Sequence, residues 1–357
     1  MRGRLHSMTA SESASLPDRH ATAPATTPET NSDQVPTALV TAPFRGDGMD
    51  TLKAIARVIY DPWIEHRPLR VYRAADLADR IDAEGADILI VESDQVKGPV
   101  FERQLRLIGS CRGDPNNVDI PAATAAGIPV LNAPGRNADA VAEMTLALLF
   151  SVNRWVSPAD ADVRGGQVYA NGVIPYQRYR AWQLAGQTIG LVGLGAVGRA
   201  TKWRLEGIGM HVLSYDPFNP DATHNDLNTM LPHCNAVSMH AAVTPETQGL
   251  MGTAQFALMP QGSVYINSAR AMLHDTDALV AALQAGHLSG AGLDHFEGEN
   301  LPTDHPLQAM NNVVLTPHIG GATYNVEANQ ALMVSADVQR ILNGERPLYC
   351  VNPEVLG

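Results

Sequence analysis

The chain has 357 residues, of which 45% are hydrophobic and 17% charged, and its formal net charge at pH 7 is −12. This length allows two domains of ordinary size, and the acidic balance argues against nucleic acid as a partner. The three cysteines, Cys111, Cys234 and Cys350, are odd in number and far apart. They favour neither a disulfide framework nor a zinc site, so a cytoplasmic location is expected.

Residues 1–36 are rich in Ala, Ser, Thr and Pro and contain almost no large apolar side chains. Such a segment buries too little surface to offset the entropy of ordering, so a disordered tail is expected. It lacks the apolar core of a signal peptide, and its acidic residues count against a transit peptide. No later run approaches the roughly 20 apolar residues that span a membrane, so no membrane partner is expected.

From residue 37 onward, short apolar runs alternate with helical spacing, which is typical of α/β domains. Buried parallel strands are predicted at residues 38–40, 88–91, 105–108 and 128–131. They form a first α/β unit over residues 37–134. After a joint at residues 132–135, the apolar spacing over residues 141–152 predicts one long amphipathic helix.

A second α/β unit begins with an apolar strand that runs into Gly193, Gly195 and Gly198 and then into a helix. A strand, a glycine turn and a helix in this order form a dinucleotide-binding motif, because the turn brings backbone N–H groups to a pyrophosphate at the helix N-terminus. Ala196 and Val197 complete the turn. A structural glycine turn with no ligand is the alternative.

Asp216 supports the dinucleotide interpretation, because it ends the next predicted strand about 20 residues beyond the turn. A carboxylate there accepts hydrogen bonds from ribose hydroxyls and repels a 2′-phosphate. No Arg or Lys follows in residues 217–220. The sequence therefore predicts NAD rather than NADP as the cofactor.

Further strands are predicted at residues 211–215, 236–239, 264–267, 291–293 and 313–315, which gives the second sheet six strands. A helix is predicted from Asp275 or Thr276 to Gly286. A last helix shows Ala331, Val334, Val338 and Ile341 on one face and ends near Gly344. Because the second sheet is already complete, this segment is expected to return to the first unit. The fold class predicted is α/β, with two doubly wound parallel sheets.

Polar residues at the carboxyl ends of parallel strands are the candidates for catalysis. Arg270 follows one strand, Asp294 and Glu299 follow another, and His318 follows the last. A guanidinium holds a carboxylate by two hydrogen bonds, and imidazole exchanges a proton with a carbonyl oxygen near neutral pH. A carboxylate on the other ring nitrogen would fix the tautomer. Together they indicate a 2-oxo acid reductase, although spacing alone leaves structural roles open for each.

These residues resemble the D-isomer-specific 2-hydroxyacid dehydrogenase family over nearly all of the chain from about residue 37. The segments that carry the resemblance are residues 117–119, 141–143, 193–198, 264–270, 292–299 and 316–321. The resemblance implies a flavodoxin-like substrate domain (residues 37–134 and 320–357) and an inserted Rossmann NAD domain (residues 135–319). It also implies an active-site cleft between the domains and a homodimer joined largely through the NAD domains.

In family terms, Arg270 binds the substrate, His318 is the acid/base and Glu299, rather than Glu297, is its partner. Asp294 is expected near the nicotinamide carboxamide, with His240 and Ala269 also at the cofactor. No metal is expected.

The first unit departs from the family pattern, because residues 110–115 replace a glycine-rich substrate loop. Ser93, Arg112 and Gly113 are candidate substrate contacts. Arg112 could meet an extra anionic group of the substrate or could pair with Asp114. Glu92 stands where 3-phosphoglycerate dehydrogenases tend to have a basic residue, which argues weakly against a phosphorylated substrate.

Two other functions stay open on the sequence. Formate dehydrogenases resemble this family but normally have glutamine where Glu299 stands, so the sequence disfavours a formate dehydrogenase. An NAD-sensing scaffold of the corepressor type can retain all three reaction residues.

Overall fold

The computed structural model describes residues 35–169 and 172–357. The predicted tail lies outside them, apart from Val35 and Pro36. The first sheet has five parallel strands in the order β2-β1-β3-β4-β5, which is the flavodoxin-like order. Its strands are β1 (Thr37–Val40), β2 (Arg57–Tyr60), β3 (Ile88–Val91), β4 (Leu107–Ser110) and β5 (Val130–Leu131).

Helices cover both faces of the first sheet, because its central strands are apolar on both sides. The helices that connect its strands are α1 (Asp47–Ile55), α2 (Ala74–Glu84) and α3 (Ile120–Ala125). Leu52 of α1 packs with Val40 and Ile90 on one face, while Leu77 of α2 packs with Leu89 on the other.

The second sheet has six parallel strands in the order β11-β10-β9-β8-β6-β7. Its strands are β6 (Thr188–Val192), β7 (His211–Tyr215), β8 (Ala236–Met239), β9 (Ser263–Asn267), β10 (Leu288–Leu293) and β11 (Val313–Leu315). The chain moves from β6 outward to β7 and then back to β8 on the other side. This reversal makes a crevice at the carboxyl ends of β6 and β8, where α/β sheets bind ligands.

The helices of this part are α4 (Ala138–Asn153), α5 (Val156–Arg164), α6 (Pro175–Arg178), α7 (Ala196–Gly207), α8 (Leu227–Met230), α9 (Thr253–Leu258) and α10 (Thr276–Gln284). The predicted amphipathic helix is α4, and its Leu148 and Val152 pack against Ile266 of the second sheet. Asp275 caps α10, because its carboxylate accepts a hydrogen bond from the backbone N–H of Ala278.

The last helix, α11 (Tyr324–Leu342), returns to the first sheet as predicted. Its Ala331, Val334 and Val338 are fully buried against the face that carries α1. Beyond it, the buried side chain of Asn352 accepts a hydrogen bond from the backbone N–H of Val130 and donates one to the carbonyl of residue 128. The division into domains at residues 134 and 320 stays a prediction.

Two strand predictions were incomplete. Strand β2 was not predicted, because it is an edge strand with Val58 and Ile59 only half-buried and so short an apolar run gives no clear pattern. The next-to-last strand of the first sheet was predicted at residues 105–108, whereas β4 is Leu107–Ser110. Leu105 is buried in the turn before the strand, so its apolar character was mistaken for strand periodicity.

Within residues 35–169 and 172–357, none of the helices combines the length and the apolar character that crossing a membrane requires.

Candidate active site

The glycine turn after β6 requires glycine at two of its three positions for steric reasons. Gly193 has φ +100°, and a β-carbon on it would lie 2.6 Å from the backbone nitrogen of Ala241. A β-carbon on Gly198 would lie 2.2 Å from the carbonyl oxygen of Gly193. The absence of a side chain at Gly198 thus lets the start of α7, which includes Ala196 and Val197, lie close to the end of β6.

Gly195, the residue before α7, differs because no atom lies within 4 Å of the β-carbon position. The open space therefore lies directly at the N-terminus of a 12-residue helix, where an anion is favoured. His240 lies beside the other two glycines, close to the β-carbon positions of Gly193 and Gly198. Its Nδ1 is buried without a hydrogen-bond partner among the described residues. Burial lowers the pKa of His240 to about 4, so its ring is neutral near pH 7. The open space over Gly195, at the N-terminus of α7, fits the pyrophosphate end of a dinucleotide.

Asp216 follows β7 and reaches back to the glycine turn. Its Oδ2 accepts a hydrogen bond of 2.8 Å from the backbone N–H of Leu194, and its Oδ1 accepts one of 3.0 Å from that of Phe218. The carboxylate is thereby fixed at the predicted ribose position. No Lys or Arg of the described residues forms an ion pair with it.

Arg270 is held by a residue that the sequence analysis did not single out, Asn267. The Asn267 side chain accepts hydrogen bonds from the backbone N–H groups of Ala269 and Arg270 and donates one to the Arg270 carbonyl. The backbone of the turn is thus fixed, while the Arg270 guanidinium is exposed and bonds only to the Ala269 carbonyl among the described residues. The sequence signal that could have identified Asn267 was its position at the end of a predicted strand.

Asp294 is fully buried and organises the loop that carries His318. Its Oδ1 accepts hydrogen bonds from the Thr316 hydroxyl at 2.6 Å and the Ile319 N–H at 2.9 Å, and its Oδ2 accepts one from the Gly320 N–H at 2.7 Å. This carboxylate therefore holds the loop on both sides of His318. A contact between Asp294 and the nicotinamide carboxamide stays a prediction.

The structure brings His318 and Glu299 together. His318 Nδ1 lies 3.0 Å from each carboxylate oxygen of Glu299. Because an ionised carboxylate only accepts, Nδ1–H is the donor and Nε2 is left without a partner from the carboxylate. Both residues have positive φ, +54° for His318 and +57° for Glu299. A non-glycine residue in this region is strained, and such strain clusters at functional sites.

A second histidine, His295, lies against His318, and the sequence analysis assigned it no role. The two ring centroids are 3.7 Å apart. Burial, with the charges of His318 and Arg270, lowers the pKa of His295 to about 3. His295 is therefore neutral near pH 7. The possible ligand atoms of His295, Glu299 and His318 lie within 4.8 Å of one another, and the absence of a metal cofactor stays an expectation.

The three candidate substrate contacts lie at the carboxyl ends of β3 and β4. Ser93 and Arg112 are half-buried and Gly113 is exposed. Arg112 forms no ion pair with Asp114 among the described residues and instead donates to the carbonyl of Glu92. Glu92 pairs with Arg136, a contact the sequence analysis missed because the two residues are 44 positions apart.

Comparison with known proteins agrees with this geometry. Residues 146–320 match the model of the NAD binding domain of D-isomer specific 2-hydroxyacid dehydrogenases. The glyoxylate reductase of Thermofilum pendens is 35% identical over 333 residues, which cover 90% of this chain and 96% of that protein. The chain belongs to the D-isomer-specific 2-hydroxyacid dehydrogenase family. The dehydrogenase is accordingly an NAD-dependent oxidoreductase, as the motifs predicted.

Solved structures share its fold over almost the whole described chain. The TT0316 protein of Thermus thermophilus is 34% identical with a TM-score of 0.76, and the match covers 88% of this chain and 99% of that one. The D-lactate dehydrogenase of Lactobacillus jensenii, solved with NAD⁺, is 25% identical with a TM-score of 0.73 and the same two coverages. The predicted fold class, with its two parallel sheets, is confirmed.

Proposed function

We propose that the dehydrogenase uses NADH to reduce a 2-oxo acid reversibly to a D-2-hydroxy acid, with His318 as the acid/base. The observation that carries this proposal is the contact of His318 Nδ1 with both carboxylate oxygens of Glu299 at 3.0 Å. It directs the ring so that Nε2 is the nitrogen free to exchange a proton with substrate. Strained backbone at both residues supports a site shaped for chemistry.

In the direction of reduction, NADH held at the glycine turn and Asp216 would supply a hydride to the carbonyl carbon of the substrate. Protonated His318 donates the Nε2 proton to the carbonyl oxygen, which becomes the hydroxyl of the product. Glu299 stabilises the charged ring before the transfer and fixes its orientation throughout. In the reverse direction, neutral His318 accepts the hydroxyl proton at Nε2.

Arg270 is proposed to bind the substrate carboxylate and to polarise the carbonyl. Its guanidinium offers five N–H donors in a planar fork, which suits a carboxylate and the adjacent carbonyl oxygen. Asn267 supports this role because it fixes the backbone on both sides of the arginine Cα. The exposed side chain can then turn toward a bound acid at little cost in backbone rearrangement.

The cofactor is proposed to lie along the carboxyl ends of β6, β7 and β8, with its pyrophosphate over Gly195. Asp216 would accept hydrogen bonds from the adenosine ribose and disfavour NADP. The remaining proposed contacts are Gly193, Ala196, Val197, Gly198, His240, Ala269 and Asp294.

The test is NADH oxidation by the purified protein with a panel of 2-oxo acids, namely glyoxylate, pyruvate, hydroxypyruvate, bulky apolar acids and sugar-derived acids. Turnover of one class, with chiral analysis showing the D-hydroxy acid, is the expected result. An L product would contradict the stereochemical part. NADH binding without turnover of any acid would favour the NAD-sensing scaffold instead.

A homodimer joined through the NAD domains and a cytoplasmic location are also proposed. Large exposed apolar side chains in the connection after α4 support a subunit contact, with Tyr176 78% and Trp182 81% exposed. Light scattering of the full chain tests the dimer. All three cysteines are free thiols, which suits a reducing compartment, and cell fractionation tests the location.

A further inference from the structure

Arg112 brings a positive charge to the cleft side of the first sheet that no described carboxylate neutralises directly. Its Nη1 donates one long hydrogen bond, 3.4 Å, to the carbonyl oxygen of Glu92. In residues 35–169 and 172–357 its other guanidinium nitrogens have no hydrogen-bond partner, yet they are not sealed from water. A half-buried guanidinium with free donors can bind an anion.

The backbone that carries Arg112 is fixed by the strands on both sides of β4. The N–H of Cys111 donates to the carbonyl of Val91 at 2.7 Å, and the N–H of Ala133 donates to the carbonyl of Arg112 at 2.8 Å. The Asn132 side chain donates to the carbonyl of Gly113 at 2.7 Å. Arg112 therefore projects from a rigid frame, which lowers the entropic cost of holding a ligand.

The nearest carboxylate, Glu92, is already engaged by another arginine. Glu92 Oε1 lies 2.6 Å from Nη2 of Arg136, and the two side chains are only 14% and 15% exposed. Arg136 also donates to Gln330 of α11, whose side-chain nitrogen donates to the carbonyl of Pro43 at 2.5 Å. The charge of Glu92 is thus largely compensated by Arg136, and that of Arg112 is left over.

Arg112 and Arg270 lie close enough to affect each other electrostatically, although they belong to different sheets. Burial lowers the pKa of the Arg112 guanidinium, and the charges of Arg136 and Arg270 add to this effect. The charge of Glu92 and, more weakly, that of Asp114 oppose it. With Glu92 paired to Arg136, Arg112 and Arg270 remain as two guanidinium groups that form no ion pair among the described residues. A 2-oxo acid with one carboxylate would occupy only one of them.

We infer that Arg112 forms a second anion subsite and that the preferred substrate is a 2-oxo acid with a second carboxylate at its far end. The first carboxylate binds Arg270 and the second binds Arg112. This inference rests on the proposed function and narrows its substrate class. A single carboxylate fits better than a phosphate ester, because Glu92 and Arg136 leave one positive charge on this side and a phosphate carries about −1.5 to −2.

The experiment compares acids matched in length. NADH oxidation is measured with 2-oxoglutarate against 2-oxopentanoate, and with oxaloacetate against 2-oxobutyrate. Phosphohydroxypyruvate against hydroxypyruvate tests a phosphate as the second anion. We expect kcat/KM to be at least tenfold higher for each dicarboxylate than for its partner, and no comparable gain from the phosphate.

Arg112→Gln should remove this preference, lowering kcat/KM for the dicarboxylates about 10- to 100-fold, as expected for a lost hydrogen bond to a charged group. Turnover of 2-oxopentanoate should change less than threefold. Arg106→Gln is the matched control, because it makes the same charge change at the start of β4, where Arg106 pairs with Asp87. It should leave both rates unchanged.

Equal loss for both kinds of acid in Arg112→Gln would overturn the inference, because Arg112 would then serve the first carboxylate or the fold. Equal rates for matched acids in the unaltered protein would also overturn it and leave the reductase intact. A higher kcat/KM for phosphohydroxypyruvate than for hydroxypyruvate, without a gain from the dicarboxylates, would overturn the carboxylate as the second anion and favour a phosphate. Calorimetry with NADH and 2-oxoglutarate separates the remaining case: Arg112-dependent binding without turnover contradicts the reductase alone, whereas no binding contradicts both.

Discussion

Two ion pairs lie at the carboxyl ends of strands, one pair after each sheet, and they are built in opposite ways. Glu299 and His318, after the second sheet, are 60% and 43% exposed at the side chain, whereas Glu92 and Arg136, after the first, are 14% and 15% exposed. An exposed pair gains little from its charges. Its geometry comes instead from strained backbone and from the hydrogen bonds of Asp294.

The buried pair depends on its charges. Burial raises the pKa of the Glu92 carboxyl, and the nearby Arg136 and Arg112 oppose that rise. Removing one partner leaves the other charged in a poorly solvated place. Changes in the exposed pair should therefore alter rate with little effect on stability, whereas changes in the buried pair should alter stability.

His318→Ala should give the largest loss of rate with the smallest change in stability. Loss of the proton donor is expected to lower kcat about 10²- to 10⁴-fold. The melting temperature and the Kd of NADH should stay nearly unchanged, because the side chain is exposed and lies away from the glycine turn. Stopped-flow NADH oxidation and a binding titration measure these quantities. Retained activity would remove His318 from the proposed role.

Arg270→Ala is expected to lower kcat/KM about 100-fold, since a charge-assisted contact to the substrate carboxylate is lost. Arg270→Lys is the matched variant, which keeps the charge but not the fork and should recover part of the loss. Steady-state kinetics with the preferred acid give the comparison. An unchanged kcat/KM in the alanine variant would contradict substrate binding by Arg270.

Glu92→Gln tests the other side of the comparison. We expect the free energy of unfolding to fall by about 2 kcal/mol, below the range for a fully buried pair because some solvent reaches it. Asp82→Asn is the control, since Asp82 pairs with Arg103 but is 57% exposed. It should cost no more than about 1 kcal/mol. Denaturant unfolding measures both, and equal losses would show that burial does not distinguish the pairs.

His274, which contacts Asn267, makes the stability of the protein depend on pH. Burial lowers its pKa to about 4. The Asn267 amide nitrogen lies 2.9 Å from Nδ1, so that ring nitrogen accepts. The unfolded chain binds the proton near pH 6.5, so stability present above that pH is lost as pH falls toward 4.

The expected contribution of His274 to this loss is about 2 kcal/mol between pH 7.5 and pH 5. His274→Asn should lower stability at both pH values but make its pH dependence shallower by that amount. His233→Asn changes an exposed histidine and is the control. Denaturant unfolding at the two pH values provides the readout, and an unaltered slope in His274→Asn would contradict the assignment.

The smallest expected effect concerns the cofactor. Asp216→Asn retains an acceptor for the Leu194 N–H but removes the charge that opposes a 2′-phosphate. The ratio of kcat/KM for NADH to that for NADPH should fall about tenfold, by the loss of roughly one charged contact. Asp221→Asn alters an exposed acid nearby and should leave the ratio unchanged. A constant ratio in both variants would reject Asp216 as the selector.

The sequence predicted the second sheet well, and it offered candidate residues there, because the signals for both are local. Gly193, Gly195 and Gly198 lie within one turn, and Arg270 and His318 directly follow apolar strands. The partner of His318 came from the family resemblance, and the structure contains that contact.

The missed features depend on contacts that are distant in the sequence. Glu92 and Arg136 are 44 positions apart, and Arg136 and Gln330 are 194 apart. No periodicity reports such pairings. His295 was visible in its motif, but the contact of its ring with that of His318 requires two strand ends to meet in space. The first sheet was therefore predicted as a fold and left largely open as a binding surface.

Asn352 has a consequence for the order of events during synthesis. It bonds to residues 128 and 130, whose strand leaves the ribosome more than 220 residues earlier. Helix α11, which covers the same sheet, also emerges late. Residues of the second sheet are then available to pack before the first sheet is covered by α11 and bonded by Asn352. The first sheet cannot be completed until the C-terminal segment has been made. One apolar face of its strands therefore stays exposed on the nascent chain, where chaperones can recognise it.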